Sequence, residues 1–145
     1  MAIKISEKIK TLYRLVRDPR AVNALLTLFH SGFLRDYGWF ESYKARTPID
    51  SQGQPLPWIT YPAISFLRTR IKPTLRVFEF GSGQSTLFFA NLVESVTSVE
   101  HNPVWLERLQ GISPHNVILV PASKLDPKSY ANIATDHIRY DLILI

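Results

Sequence analysis

Cysteine is absent from this 145-residue sequence, which excludes disulfide staples and thiolate metal sites. Histidine does not fill that gap. His30, His101, His115 and His137 are scattered with no pair four residues apart, so no metal centre is expected. No apolar run approaches the length of a membrane span. The opening MAIKISEKIKTLYRLVRD interleaves charge with apolar residues and lacks the uninterrupted apolar core of a signal peptide. A cytoplasmic location is the expectation. Internal repeats and low-complexity tracts are missing too.

What is present reads as a folded domain. Apolar residues make up 46% and charged residues 20%, in a chain long enough to bury a core. The net charge of +5 is uneven: residues 1–75 hold twelve Lys and Arg against five acids, residues 76–145 five against seven. A basic front end suits an acidic partner, RNA or a membrane surface, though solvated helix faces are the simpler reading. Aromatic and basic residues do not interleave as in RNA recognition, so nucleic acid is not expected. Peripheral membrane contact stays open.

The first seventy residues follow a helical grammar. Ile5, Ile9, Leu12, Leu15 and Val16 recur at helical spacing, and a second helix is expected from Pro19 to His30, stopped by Gly32. FLRDYGWFESYKARTP is aromatic and irregular, with room for a short helix, and PIDSQGQPLPW is a loop. A third helix follows Tyr61-Pro62 and ends at Lys72-Pro73. Trp39, Phe40, Trp58 and Tyr61 are read as core aromatics, with pocket lining as the lesser alternative. TDHIRYD, which places Asp136, His137 and Asp141 together, is read as a turn before a strand.

After Pro73 the grammar changes. LRVFEF, SVTSVE, NVILV and YDLILI read as strands. STLFFANLV, PVWLERL and DPKSYANIA read as helices between them, the second opened by Asn102 with Pro103 behind it. Strand and helix alternating at short spacing predict an α/β doubly wound, mostly parallel sheet preceded by helices.

Ligands on such sheets sit at the carboxyl ends of the strands. The first strand ends at Gly81-Ser82-Gly83. Gly81 permits a tight turn, Gly83 permits close backbone approach, and Ser85 and Thr86 open a helix whose free amides favour an anionic group. Glu79 stands two residues before Gly81, and Glu100 ends the second strand 19 residues after it. An acid at that spacing accepts hydrogen bonds from ribose hydroxyls. Glu79 divides the nucleotide ligands. It would face the pyrophosphate of a dinucleotide, and like charges at about 4 Å cost on the order of 4 kcal/mol near a protein surface. The sulfonium and ammonium of S-adenosylmethionine would instead be attracted.

VFEFGSGQS followed by VTSVEHNP resembles the first two motifs of the class I (Rossmann-like) S-adenosylmethionine-dependent methyltransferases, over roughly residues 58–145. The resemblance implies that Glu79, Phe80, Gly81, Ser82, Gly83 and Ser85 line the methionine end of the donor. It implies that Glu100 takes the ribose, that His101 flanks the adenine, and that Ala122 and Ser123 lie near the adenine edge. Tyr61, in WITYPAISFL, would close over the cofactor. Ser85 stands where the family's third glycine is usual. Residues 1–57 are then a helical N-terminal region and 58–145 a cofactor-binding domain, incomplete at its C-terminal end because YDLILI reads as a central strand. The implied activity is methyl transfer to a small-molecule, sugar or lipid acceptor, with no catalytic base assigned. An NAD(P)-binding oxidoreductase and a non-catalytic basic module on an anionic surface are the competing readings.

Overall fold

The computed structural model describes residues 4–122 and 139–145. Helices come first, as the apolar spacing predicts: α1 (Ile5–Arg17), α2 (Pro19–His30), α3 (Phe33–Asp36), α4 (Trp39–Ala45) and α5 (Tyr61–Arg70). Asp18 separates α1 from α2 and accepts the Arg20 and Ala21 amides, the local reason the chain restarts a helix there. The aromatic stretch forms two short helices, not one. Gly38 (φ 82°) divides them, in a conformation few other residues adopt.

The second half alternates β1 (Arg76–Phe80), α6 (Gln84–Ala90), β2 (Ser95–Glu100), α7 (Pro103–Gln110), β3 (Val117–Pro121) and β4 (Leu142–Leu144). The four strands form one all-parallel sheet in the order β3-β2-β1-β4. The chain therefore steps from β1 outward to β3 and then returns to the far side of β1. That reversal lies between β1 and β4, and in open parallel sheets ligands bind outside the strands' carboxyl ends at such a point. DPKSYANIA lies outside the described residues.

One sheet face carries the core. Val77 and Val96 pack with Ile64 of α5 and with Phe88 and Phe89 of α6. Leu56, ahead of the expected boundary at residue 57, is buried in the same cluster. On the other face Phe78 meets Phe80 and Tyr140 edge-on or tilted, at 4.9 and 5.0 Å. Register places Ile118 and Ile143 on that second face, where they are 54% and 52% exposed. Among the described residues α5 and α6 pack on the Val77 side of the sheet, and Ile143 is half exposed on the other. Among the described residues no helix is long and apolar enough to cross a membrane. Neither α1 nor α2 buries a residue.

Candidate functional site

The turn after β1 is built from both directions. Gly81 takes φ 86°, a conformation costly to any residue with a Cβ, and its amide donates to the Val99 carbonyl across the strand gap at 2.8 Å. Gly83 differs. Its backbone is extended and a Cβ there would meet nothing within 4 Å, so neither conformation nor packing requires glycine. What a glycine at this point adds is open approach to the backbone from outside the chain.

Glu79 sits beneath the turn, 4% exposed. A carboxyl so buried needs hydrogen-bond partners, and it has three. The Ser85 and Thr86 hydroxyls donate to its two oxygens, and the Ser98 hydroxyl lies 3.2 Å from Oε2. Thr86 in turn accepts the Gly83 amide at 2.9 Å, tying the first turn of α6 to the carboxyl. Burial pushes the Glu79 carboxyl above its ordinary range; the three hydroxyls oppose that, and the Glu100 charge adds to it.

Glu100, 6% exposed, holds the same turn from β2. Its Oε2 accepts the Ser82 amide at 3.0 Å and the Ser82 hydroxyl at 2.9 Å, and its Oε1 accepts the Asn102 amide at 2.8 Å. Burial would raise this carboxyl as well. The amides of Asn102 and Ser82, the Ser82 hydroxyl and a backbone bond at His101 outweigh it and hold the group below the usual range. Two neighbouring carboxyls are thus driven apart, one toward holding its proton and the other toward ionisation.

The structure brings Glu79 with Ser85, and Glu100 with Ser82, into two hydrogen-bonded groups on either side of the turn at Gly81 and Gly83. Ser85, where the resembling family has glycine, spends its hydroxyl on Glu79. His101 is exposed, with Nδ1 3.5 Å from Glu100 Oε1, and the Ala122 amide donates to the Glu100 carbonyl at 2.8 Å. Phe80 points to the opposite sheet face from Glu79, as alternation along a strand requires. Ser123, Asp136 and His137 lie outside the described residues.

Two residues, and the role of a third, Thr86, escaped the sequence reading. Thr86 and Ser98 complete the Glu79 shell, and the Trp105 indole donates to the Ser82 carbonyl at 2.6 Å. Ser98 was in principle discoverable, because it shares a β2 face with Glu100 and pairs in register with Glu79. Trp105 carries no comparable signal; one aromatic residue in the first turn of a helix has many possible uses.

Tyr61 is not among the turn's partners. It opens α5 and packs against Tyr37 and Phe33, with ring centroids at 5.2 and 5.7 Å. Burial raises its phenol above the ordinary range, against the opposing hydrogen bond with Ser42. It lines a cavity of about 1020 Å³ whose walls include Trp39, Tyr43 and Trp58 and no residue of the glycine turn. The expectation that these aromatics are core is overturned for Trp58, which is 91% exposed, and for Trp39, at 41%. The loop that carries Trp58 has its own hydrogen bonds and does not need the ring inside. Among the described residues no cluster of His, Asp and Glu is placed to hold a metal ion. No family model matches the chain, and no curated protein does.

Proposed function

We propose that this chain is the cofactor-binding part of an S-adenosylmethionine-dependent methyltransferase, with the donor seated over Gly81-Ser82-Gly83. The acceptor is a small molecule, sugar or lipid intermediate. One observation carries the reading: two buried carboxyls, Glu79 near the end of β1 and Glu100 at the end of β2, flank a glycine turn beside the sheet's reversal point, Glu100 accepting the Ser82 amide and hydroxyl and Glu79 accepting hydroxyls from the helix that follows the turn. When bound, the sulfonium supplies a methyl group that passes in line to a lone pair on the acceptor, leaving a neutral thioether. The protein's share is position and field.

The residues present suit such a ligand. Gly83 leaves the backbone open to approach. The Ser82 hydroxyl takes on Glu100 Oε2 the acceptor position that a ribose hydroxyl would use, and it can rotate away. A cation above Glu79 favours the ionised carboxyl, so binding would lower the pKa that burial raises. A pyrophosphate at the same place would oppose ionisation of Glu79 and gain no attraction from it, whereas Glu100 can serve a ribose in either ligand. This is the physical case against a dinucleotide.

Thermal denaturation with S-adenosylhomocysteine and with NAD, each at saturating concentration, tests the reading. A ligand at a hundred times its Kd stabilises by about 2.7 kcal/mol. S-adenosylhomocysteine should raise Tm, NAD should not, and Glu100→Ala should abolish the rise. A rise with NAD and none with the thioether would mean a nicotinamide enzyme.

A second reading rests on α1. Its stripe of Ile5, Ile9, Leu12 and Val16 is 62–76% exposed and is bordered by Lys4, Lys8, Lys10, Arg14 and Arg17 against the single acid Glu7. A basic amphipathic helix of this composition suits an anionic membrane surface. Co-sedimentation with vesicles containing phosphatidylglycerol should then be salt-sensitive and should survive Glu100→Ala.

A further inference from the structure

The cavity beside α4 has no part in the arrangement around the glycine turn, yet it is built in detail. Its floor and walls come from α4, from the start of α5, and from the loop between them. That loop is held at several points. Asp50 Oδ1 accepts the Gln52 and Gln54 amides, both at 2.8 Å, and the Leu56 amide donates to the Pro48 carbonyl at 3.0 Å. The Ser42 hydroxyl on α4 donates to the Ile49 carbonyl at 2.6 Å and accepts the Ile49 amide at 3.0 Å. Gly38 closes the joint. A Cβ there would stand 2.2 Å from the carbonyl carbon of Asp50, so the loop lies directly on the glycine backbone. A cavity with walls fixed in this way is largely formed before any ligand arrives.

Its lining has a definite chemistry. Trp39 and Tyr43, one helical turn apart, stack nearly parallel with centroids 5.6 Å apart and an interplanar angle of 12°. Trp58 lines the same space and is exposed, so its ring is free to meet a ligand. Two cations join these aromatic residues. Lys44 leans toward Glu41 at 3.7 Å. Arg46 has no ion-pair or hydrogen-bond partner for its guanidinium among the described residues, and no carboxylate lines the cavity. Arg46 is also the sole residue other than glycine with positive φ among the described residues, at 52°. It occupies the position after α4 where glycine or asparagine is usual. A guanidinium placed by strained backbone at the rim of an aromatic cavity is suited to bind an anion through two parallel hydrogen bonds.

We propose that this cavity is a binding site for a small ring-bearing anion, a sugar or aromatic group carrying a phosphate or carboxylate. Arg46 receives the anionic group, and Trp58 with the Trp39–Tyr43 pair receives the ring. The site stands independently of the reading of the glycine turn, because no residue is common to the two.

Isothermal titration of the full chain with glucose 6-phosphate, phenyl phosphate, glucose and inorganic phosphate, without any methyl donor, tests it. At least one ring phosphate should bind tenfold or more tightly than inorganic phosphate, and the sugar and phenyl arms identify which ring is preferred. Arg46→Gly and Trp58→Ala should each weaken that binding at least tenfold. Arg46→Gly relieves the left-handed backbone, so its Tm should equal or exceed that of the parent, which separates lost binding from lost folding. Inorganic phosphate binding as tightly as the ring compounds would overturn the proposal. So would absence of binding by all four compounds at millimolar concentration, or affinity unchanged in either variant.

Discussion

Glu79 and Ser98 face each other in register on adjacent parallel strands, and the Ser98 hydroxyl lies 3.2 Å from Glu79 Oε2 and 3.0 Å from the Gly81 carbonyl oxygen. A serine hydroxyl has one proton, and both of these neighbours accept. The conflict disappears when Glu79 carries a proton and donates it to Ser98, which can then serve Gly81. Burial favours that state, and the Ser85 and Thr86 hydroxyls, which donate to the carboxyl, oppose it.

The consequence for stability can be signed. Burial raises the folded-state pKa of Glu79 above its unfolded value, so the native state binds more protons and stability declines as pH rises through that interval. Glu100 behaves oppositely: its depressed pKa contributes stability present above the unfolded value and lost as pH falls through the folded one. Glu79→Gln mimics the protonated group. Thermal melts from pH 4 to 8 should show the variant gaining on the parent as pH rises. A parallel pair of curves would mean that Glu79 titrates normally.

The two glycines of the turn should respond differently to the same substitution. Gly81→Ala forces a Cβ onto a left-handed backbone and should destabilise by about 1–2 kcal/mol. Gly83→Ala meets neither strain nor contact and should leave Tm unchanged, while S-adenosylhomocysteine affinity falls at least tenfold. Chemical denaturation and calorimetry read the two effects separately.

Trp105 reaches the turn from α7 through a single hydrogen bond to the Ser82 carbonyl. Trp105→Phe keeps an aromatic ring beside Arg108 and removes only the donor. Stability should fall by about 1 kcal/mol, the net worth of one such bond. Loss of donor affinity without that destabilisation would place Trp105 against the ligand itself.

Gly38 should be the least tolerant position of the N-terminal region. In Gly38→Ala the new methyl group overlaps Asp50 and Ser51 backbone and the φ of 82° is unfavourable, so the loop must lift. Urea denaturation should register a loss of about 3 kcal/mol, the combined effect of overpacking and strain. Binding of ring phosphates in the adjoining cavity should vanish with it.

The fold was legible where its causes are local. Pro19, Pro62 and Pro103 each stand in the first turn of a helix. Asn102 accepts the Val104 and Trp105 amides, as its position before Pro103 suggests. The helix after the turn ends at Ala90, short of the apolar run STLFFANLV, because residues 91–94 turn the chain into β2, with the Leu92 and Val93 amides donating to the Phe89 carbonyl. The site was half legible. Glycines and acids at a strand tip announce themselves, whereas hydroxyl partners resemble every other Ser and Thr in the chain.

By itself, then, the amino-acid order determined the run of helices and strands, the need for glycine at position 81, and the placing of two acids at strand ends. Each of these follows from backbone sterics, capping and apolar period within a few neighbouring residues. Only tertiary structure decided that Glu79 is enclosed by Ser85, Thr86 and Ser98, that Ser82 stands between Glu100 and Trp105, and that Trp58 faces solvent beside Arg46. Ser98 is 19 residues from Glu79, and Trp105 is 23 from Ser82. Such contacts depend on strand register and on how helices dock across the sheet, and both are set by packing of the whole core.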